Sequence, residues 1–200
     1  MDFKRIVFIA LIIFLGVIAR SQEEWSQEEL TAAKTADTCE YLSAIEKDAV
    51  MYLNLARLFP QKFKELELKG YYGTEKYGDY LKDSPWIASL DSTLDTLSAM
   101  VALIPDTALF NHAKCFAKEM GDAGTTGHER VNCPKNKKYG ECSSFGMENG
   151  KDIVMQMLID HNIAGLGHRK QCLDPKNKFI GLSMHTHTEW GTCCVINLLK

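Results

Sequence analysis

The spacing of apolar residues changes along this chain, and that change limits the folds the chain can adopt. Through most of its length they recur every three or four positions, as on one face of a helix. The first such run consists of Leu42, Ile45, Ala49, Tyr52, Leu53 and Ala56. Near the C-terminus the pattern becomes two short apolar runs, 179–185 and 192–199, joined by Thr-Glu-Trp-Gly. That pattern is typical of a β-hairpin. Helices followed by terminal antiparallel strands predict an α+β fold.

Proline and glycine divide the helical part into segments. Phe59-Pro60 ends the first helix, because the residue before a proline disfavours helical geometry. A short helix is predicted to follow and to stop at Gly70, and a clearer one opens at Pro105-Asp106 and ends at Gly121. The predicted helices cover about 42–59, 60–69, 90–101, 106–120 and 151–161, with loops over 70–90 and 121–149.

The first 21 residues are predicted to be a secretory signal peptide. Lys4 and Arg5 precede an unbroken apolar run from Ile6 to Ile18, and small residues follow it. The alternative is a membrane anchor, but a spanning helix needs about 20 apolar residues. We therefore expect cleavage after Ala19 or Ser21, no transmembrane anchor afterwards, and secretion to an extracellular or periplasmic space.

The rest of the chain is predicted to hold one domain. Residues 22–38 are polar and acidic, as in a flexible leader. Residues 39–200 are long enough for one well-buried core. Apolar residues make up 46% of the chain and charged residues 24%, which is ordinary for a globular protein. The net charge of -3 gives no reason to expect nucleic-acid binding.

All seven cysteines lie after the predicted leader, and export would place them in an oxidising compartment. There they are expected to form disulfides rather than to bind metal or act as nucleophiles. Because seven is odd, at least one is free or pairs between molecules. Cys133 and Cys142 flank a short loop and are predicted to pair with each other.

Four polar residues lie in or beside turns where a ligand could approach: His128, Glu148, Asp160 and His168. Imidazole and carboxylate groups suit a zinc-type site and also general acid–base chemistry. They are spread over about forty residues, so spacing leaves open whether they share a site or are scattered on the surface.

The other histidines are weaker candidates. His112 is expected to pack beside an apolar helix face, and His161 to be solvated. His185 and His187 share a strand face and could bind metal as a pair. His128-Glu129 begins like the HExxH motif, but position 132 is Asn. GxSxG, GxGxxG and Walker motifs are absent from the sequence.

Several motifs resemble the CAP superfamily (cysteine-rich secretory, antigen five and pathogenesis-related proteins; the SCP domain), and its bacterial members in particular. The resemblance covers about residues 40–200, and four motifs follow in the family's order. They are Tyr52–Arg57 with Pro60 and Phe63; Gly146-Met147-Glu148-Asn149, which has one residue inserted; Gly167-His168-Arg169; and Cys172-Leu-Asp-Pro followed by Phe179-Ile-Gly.

The resemblance implies an α-β-α sandwich with a small antiparallel sheet. It also implies a cleft holding two histidines and two acids, which here fall on His128, Glu148, Asp160 and His168. Many members have Glu where this chain has Asp160. Such clefts can bind zinc or magnesium, and some members bind sterols or fatty acids elsewhere.

Three functions follow from these residues. The first is a secreted binding module with a divalent cation in the cleft and a lipid or an extracellular protein as partner. The second is a structural network in which the four residues stabilise the turns. The third is a metal-assisted hydrolase, in which His128 and His168 hold the metal and Glu148 is the base. Because the resemblance does not imply catalysis, we expect binding before a structural role, and hydrolysis last.

Overall fold

The computed structural model describes residues 24–200, and the predicted signal peptide lies outside them. Helices α1–α7 cover Gln27–Ala33, Ala44–Leu58, Pro60–Phe63, Pro85–Thr96, Thr107–Ala123, Gly150–Ile159 and Gly167–Cys172. Strands β1–β4 cover Ile104–Pro105, Gly140–Phe145, Phe179–His187 and Gly191–Leu199. A π-helical turn, Lys64–Leu68, extends α3. Within residues 24–200, none of the helices has the length and apolarity needed to cross a membrane.

The four strands form one sheet in the order β1-β3-β4-β2. The predicted hairpin is confirmed, with Phe179 of β3 opposite Leu199 of β4. β2 pairs with β4 in antiparallel orientation, whereas β1 runs parallel to β3. The α+β prediction is therefore confirmed. The sheet is mixed rather than wholly antiparallel, because the two residues of β1 join it from the connection between α4 and α5.

Helices cover both faces of this sheet. Because side chains alternate along a strand, each face has its own core. On one face, strand residues pack with α1–α4 and α6; they include Ile180, Leu182, Ile196 and Leu198. On the other face, Cys193 and Val195 pack against Ala113, Phe116, Ala117 and Met120 of α5. The α-β-α sandwich that the resemblance implied is the architecture of this chain.

Two glycines let α5 lie very close to β3. A Cβ atom on Gly181 would stand 2.1 Å from the backbone nitrogen of Phe110, and one on Gly121 would stand 2.1 Å from the backbone oxygen of Thr186. Gly121 lies inside α5, so the prediction that the helix ends at Gly121 is wrong. The helix ends at Gly124, whose φ of 66° is left-handed.

The flexible leader predicted for residues 22–38 is not what the structure has from residue 24 onward. α1 begins after Ser26, whose side chain forms a capping box with Glu29. Ala33 at the end of α1 is buried in the main core. The polar composition of this segment describes the outer face of a short helix, not a mobile chain.

The other differences fall in the regions predicted as loops. α4 begins at Pro85, earlier than expected, because Ser84 accepts a hydrogen bond from Trp86 and caps it. It buries Leu90 and Leu94 and ends at Thr96. β2 and α7 were not predicted, because the sequence of β2 contains few large apolar residues and α7 is only six residues long.

The disulfide joins Cys115 to Cys133, so the predicted pairing of Cys133 with Cys142 is wrong. Cys142 lies within β2, and its side chain is buried in the core shared with α6 and α7. Cys133 packs in the other core, beside α5. The sheet separates the two thiols, although only nine positions separate them in sequence.

Candidate functional site

A cavity of about 340 Å³ lies between the C-terminal end of α6, the start of α7 and the outer strand β2. Its apolar lining comes from Leu81, Phe145, Met157, Ile159 and Ile163. Its polar lining includes His128, Ser143, Gln156, Asp160, His161 and His168, with Tyr80 at one side. Three of the four residues that the sequence singled out therefore share one cavity.

Asp160 and His168 form a buried pair at the bottom of this site. Asp160 follows α6 with a left-handed φ of 55° and is 1% exposed. Its Oδ1 lies 2.7 Å from Nδ1 of His168, and its Oδ2 accepts hydrogen bonds from the backbone nitrogens of His168 and Arg169. Since an ionised carboxylate can only accept, this contact requires a hydrogen on Nδ1 of His168, and in the neutral ring Nε2 is then the acceptor.

Arg169 fixes the helix that carries His168. Its guanidinium is buried and donates to the carbonyl oxygens of Leu158 at 2.6 Å, Ile159 at 2.9 Å and Trp86 at 3.1 Å. Burial lowers the pKa of this guanidinium, and the nearby Asp160 carboxylate acts in the opposite direction. The contacts join α7 to the end of α6 and to α4, so His168 has a rigid support.

His128 reaches the cavity from the loop between α5 and β2. Its Nδ1 lies 3.0 Å from Oε1 of Glu141, which also pairs with Arg130. Burial opposes ionisation of Glu141, but hydrogen bonds from His128 and Arg130 outweigh it and lower the pKa of this carboxyl. The loop is held further by the disulfide at Cys133.

Glu148 does not line the cavity. Its side chain is 63% exposed and pairs with Lys76 at 2.7 Å. The next residue, Asn149, caps α6 by accepting from the backbone of Asp152 at 2.8 Å. The Gly-Met-Glu-Asn motif therefore starts α6, and the Glu148 carboxylate pairs with Lys76 outside the cavity.

The remaining histidines have separate environments. His161, expected to be solvated, lines the cavity and packs on Trp86 with ring centroids 5.1 Å apart. His187 is buried; its Nε2 is 3.0 Å from the backbone oxygen of Thr125, and its Nδ1 accepts from two backbone nitrogens of the hairpin turn. His185 instead faces Asp122, so His185 and His187 do not form a metal pair. His112 packs edge-on against Tyr139, in agreement with its predicted packed role.

The sequence was also compared with known proteins. A family model for CAP, the cysteine-rich secretory protein family, matches residues 93–198, which is more than half of the chain. The chain belongs to the CAP family. No curated protein matches its sequence. The CAP match runs from α4 to β4 and includes every cavity-lining residue except Tyr80 and Leu81.

The cation site implied by the CAP resemblance does not fit these side chains as a four-residue site. Both oxygens of Asp160 already accept hydrogen bonds, and Glu148 is paired with Lys76 outside the cavity. Within residues 24–200, no group of three or more His, Cys, Asp and Glu side chains is arranged to hold a metal ion. His128 and His168 are the two predicted ligands that face the cavity with a ring nitrogen to offer.

Sequence reasoning missed Ser143 and Gln156, two polar residues of the CAP cavity. Gln156 lies on α6, and its side chain bonds to the backbone of Phe145. Ser143 lies on β2 and is 8% exposed. A polar residue within a helix or strand gives no signal in the pattern of apolar residues, and the strand itself was not predicted.

Proposed function

We propose that this CAP domain is a binding module whose cavity takes a small, mainly apolar ligand, with one polar group of the ligand bound by His168. The observation that carries the proposal is the apolar cavity with a histidine ring fixed by the buried Asp160 carboxylate. Ligand pockets have volumes of roughly 300–1,000 Å³ and combine apolar walls with a few oriented polar groups.

The chemistry of the site supports binding rather than turnover. His168 presents Nε2 as a hydrogen-bond acceptor, and its orientation is set before any ligand arrives, which lowers the entropic cost of binding. The apolar walls suit one end of a sterol or fatty acid, or an apolar side chain of an extracellular protein. These are the partners that the sequence led us to expect.

The test uses N-phenyl-1-naphthylamine, an apolar fluorescent probe without a peptide group. We expect saturable fluorescence enhancement with the full chain. Ile163→Trp should abolish it, because Ile163 lines the cavity, is 42% exposed, and can be enlarged without disturbing the core. Val101→Trp is the matched control, at an exposed position away from the cavity. Equal enhancement in both variants would overturn the proposal.

A divalent cation held by His128 and His168 is a second candidate. What favours it is that both rings line one cavity and that a carboxylate supports His168, an arrangement common around zinc-binding histidines. Calorimetric titration with zinc at neutral pH should show saturable binding that a His128→Ala/His168→Ala variant loses. Equal heats in the two proteins would exclude a zinc site at these residues.

The hydrolase alternative has less support. Glu148, the base it needs, is paired with Lys76 and does not face the cavity. The structural-network alternative has the hydrogen bonds of Asp160 in its favour. The probe titration distinguishes this alternative from ligand binding, because a purely structural network gives no saturable enhancement of the probe fluorescence.

Secretion is part of the same proposal. The apolar run after Lys4 and Arg5 and the Cys115–Cys133 disulfide both support export to an oxidising compartment. Intact mass measurement of the exported protein should show an N-terminus after Ala19 or Ser21. A chain that stays in the cell with residues 1–21 attached would contradict it.

A further inference from the structure

The cavity lies along β2, a strand at the edge of the sheet. β2 pairs with β4 on one side, and in the described part of the chain no strand pairs with it on the other. Strands at sheet edges expose backbone N–H and C=O groups that can pair with another chain. Backbone groups at the outer edge of β2 therefore border the cavity, in addition to the side chains that line it.

The strand register shows which residues of β2 face that edge. The backbone nitrogen of Gly146 donates to the oxygen of Thr192 at 2.9 Å, one step beyond the pair formed by Phe145 and Cys193. Hydrogen-bonded pairs alternate in an antiparallel ladder. Even-numbered residues of β2 thus bond to β4, and the backbone groups of Phe145, Ser143 and Glu141 point outward.

Gln156 already occupies one of these outward positions. Its side-chain amide accepts from the nitrogen of Phe145 at 3.1 Å and donates to the oxygen of Phe145 at 3.1 Å. An amide that both accepts and donates in this way reproduces the pairing of a neighbouring strand residue. It also confirms that the outward groups of this edge are positioned to bind an amide.

The next outward position, Ser143, has no such partner. Its backbone N–H and C=O point toward the edge, and the residue lines the cavity. Its hydroxyl is buried and has no hydrogen-bond partner among residues 24–200. The backbone of Ser143 is therefore the outward position of β2 beside the cavity that a ligand can pair with.

We propose that the cavity binds an extended peptide segment, one residue of which pairs with the backbone of Ser143 while its apolar side chain fills the cavity. This inference rests on the proposed binding function and specifies its ligand class. The peptide N–H donates to the Ser143 oxygen, and the peptide carbonyl accepts from the Ser143 nitrogen. Nε2 of His168 is a further contact for a polar group of the ligand.

The nearness of Ser143, His168 and Asp160 in one cavity does not make them an acyl-transfer triad. A nucleophilic serine must lie within hydrogen-bond reach of its base. In the described structure the hydroxyl of Ser143 has no hydrogen bond to His168 or to any other residue. The geometry points to recognition of a peptide group and not to its cleavage.

The test compares two probes that differ in one atom. N-acetyl-phenylalanine N-methylamide carries the peptide N–H, and O-acetyl-phenyllactic acid N-methylamide has an ester oxygen in its place. We expect the amide to bind about three- to tenfold more tightly in NMR titrations of the ¹⁵N-labelled full chain, as the loss of one hydrogen bond predicts. The amide signal of Ser143 should be among the most strongly shifted.

Two protein variants complete the test. Ser143→Pro removes the outward N–H that would donate to the peptide carbonyl and leaves the ladder to β4, since Pro is tolerated on edge strands. It should weaken binding of the amide and the ester alike, because both probes keep that carbonyl. Ser92→Ala, at an exposed position on α4, is the control and should keep the parent's affinity for both probes. The ester comparison needs no protein variant, so a folding defect in Ser143→Pro leaves the inference open to refutation.

The outcomes separate this inference from the proposed function. Equal affinity for amide and ester, or binding of the naphthylamine probe without binding of the peptide amide, would overturn peptide recognition and leave the binding module standing. If neither peptide probe nor the naphthylamine binds, both proposals fall.

Discussion

At the scale of single residues, Asp160 is the group that organises the candidate site. It accepts two backbone hydrogen bonds at the start of α7 and one from the ring of His168, all in a buried environment. Asn keeps the shape and tolerates the left-handed backbone, but it removes the charge. We therefore expect Asp160→Asn to lower the free energy of unfolding by about 2 kcal/mol, measured by urea denaturation.

Glu148→Gln is the matched control for that experiment. Its carboxylate is largely exposed and pairs only with Lys76, and exposed ion pairs contribute about 0–1 kcal/mol. If the two variants lost the same stability, the central role given to Asp160 would be wrong.

Five cysteines outside the disulfide differ in their access to solvent. Burial raises the pKa of Cys193 to about 11 and that of Cys194 well above the ordinary thiol value. Contact with Cys172, together with burial, does the same for Cys142. Cys39 is the one that is partly exposed.

Native alkylation with iodoacetamide at pH 8 should therefore modify Cys39 first, since a reactive cysteine must be accessible and ionised. The other four should react only as the protein unfolds, as mass spectrometry of timed samples would show. Modification of Cys142 as fast as Cys39 would mean that the core around α7 opens readily.

Glu141 should make the free energy of unfolding depend on pH in the acidic range. Its pKa is lowered in the folded protein because His128 and Arg130 bond to its ionised form and outweigh the effect of burial. The stabilisation is then complete above the ordinary Glu pKa of 4.5 and is lost as pH falls through the lower, folded value. Glu141→Gln should be less stable than the parent at pH 7, and the difference in unfolding free energy should shrink below pH 4.5. A constant difference across that range would contradict the ion pair.

At the scale of elements, the contact between α5 and β3 depends on Gly181. A Cβ there would collide with the backbone of Leu109 and Phe110, which cannot rotate away as a side chain can. Gly181→Ala should therefore cost about 1–3 kcal/mol or more, seen as a lower midpoint of urea unfolding. Gly167→Ala is the control, because a Cβ at Gly167 meets nothing within 4 Å. A neutral Gly181→Ala would show that the two layers are less tightly packed than described.

Elements with a strong local pattern could be predicted from the sequence, and those defined by distant contacts could not. α2 and the β3–β4 hairpin have clear periodicity and obvious end signals, and both are confirmed. β2 is six residues long with serines at its centre, and only its pairing with β4 makes it a strand. The prediction of a Cys133–Cys142 disulfide failed for the same reason, because the pairing of β2 with β4 decides on which side of the sheet Cys142 lies.

At the scale of the whole molecule, the sequence resemblance identified the family and most of the candidate site. It brought His128, Asp160 and His168 together across forty residues, and the structure places all three around one cavity. Glu148 differs because Lys76, more than seventy residues earlier, holds its carboxylate elsewhere. The ion pair joins two segments that are distant in sequence, so no local sequence pattern predicts it.

If these residues surround a ligand cavity, the ring signals of the histidines that line it should respond when a small ligand is added. We would titrate the ¹⁵N-labelled full chain with benzyl alcohol and follow the histidine rings by long-range ¹H–¹⁵N NMR. We expect saturating shifts for His168, His128 and His161, which line the cavity, and unchanged signals for His112 and His185, which do not. Shifts spread evenly over all six histidines, or absent from His168, would contradict this expectation.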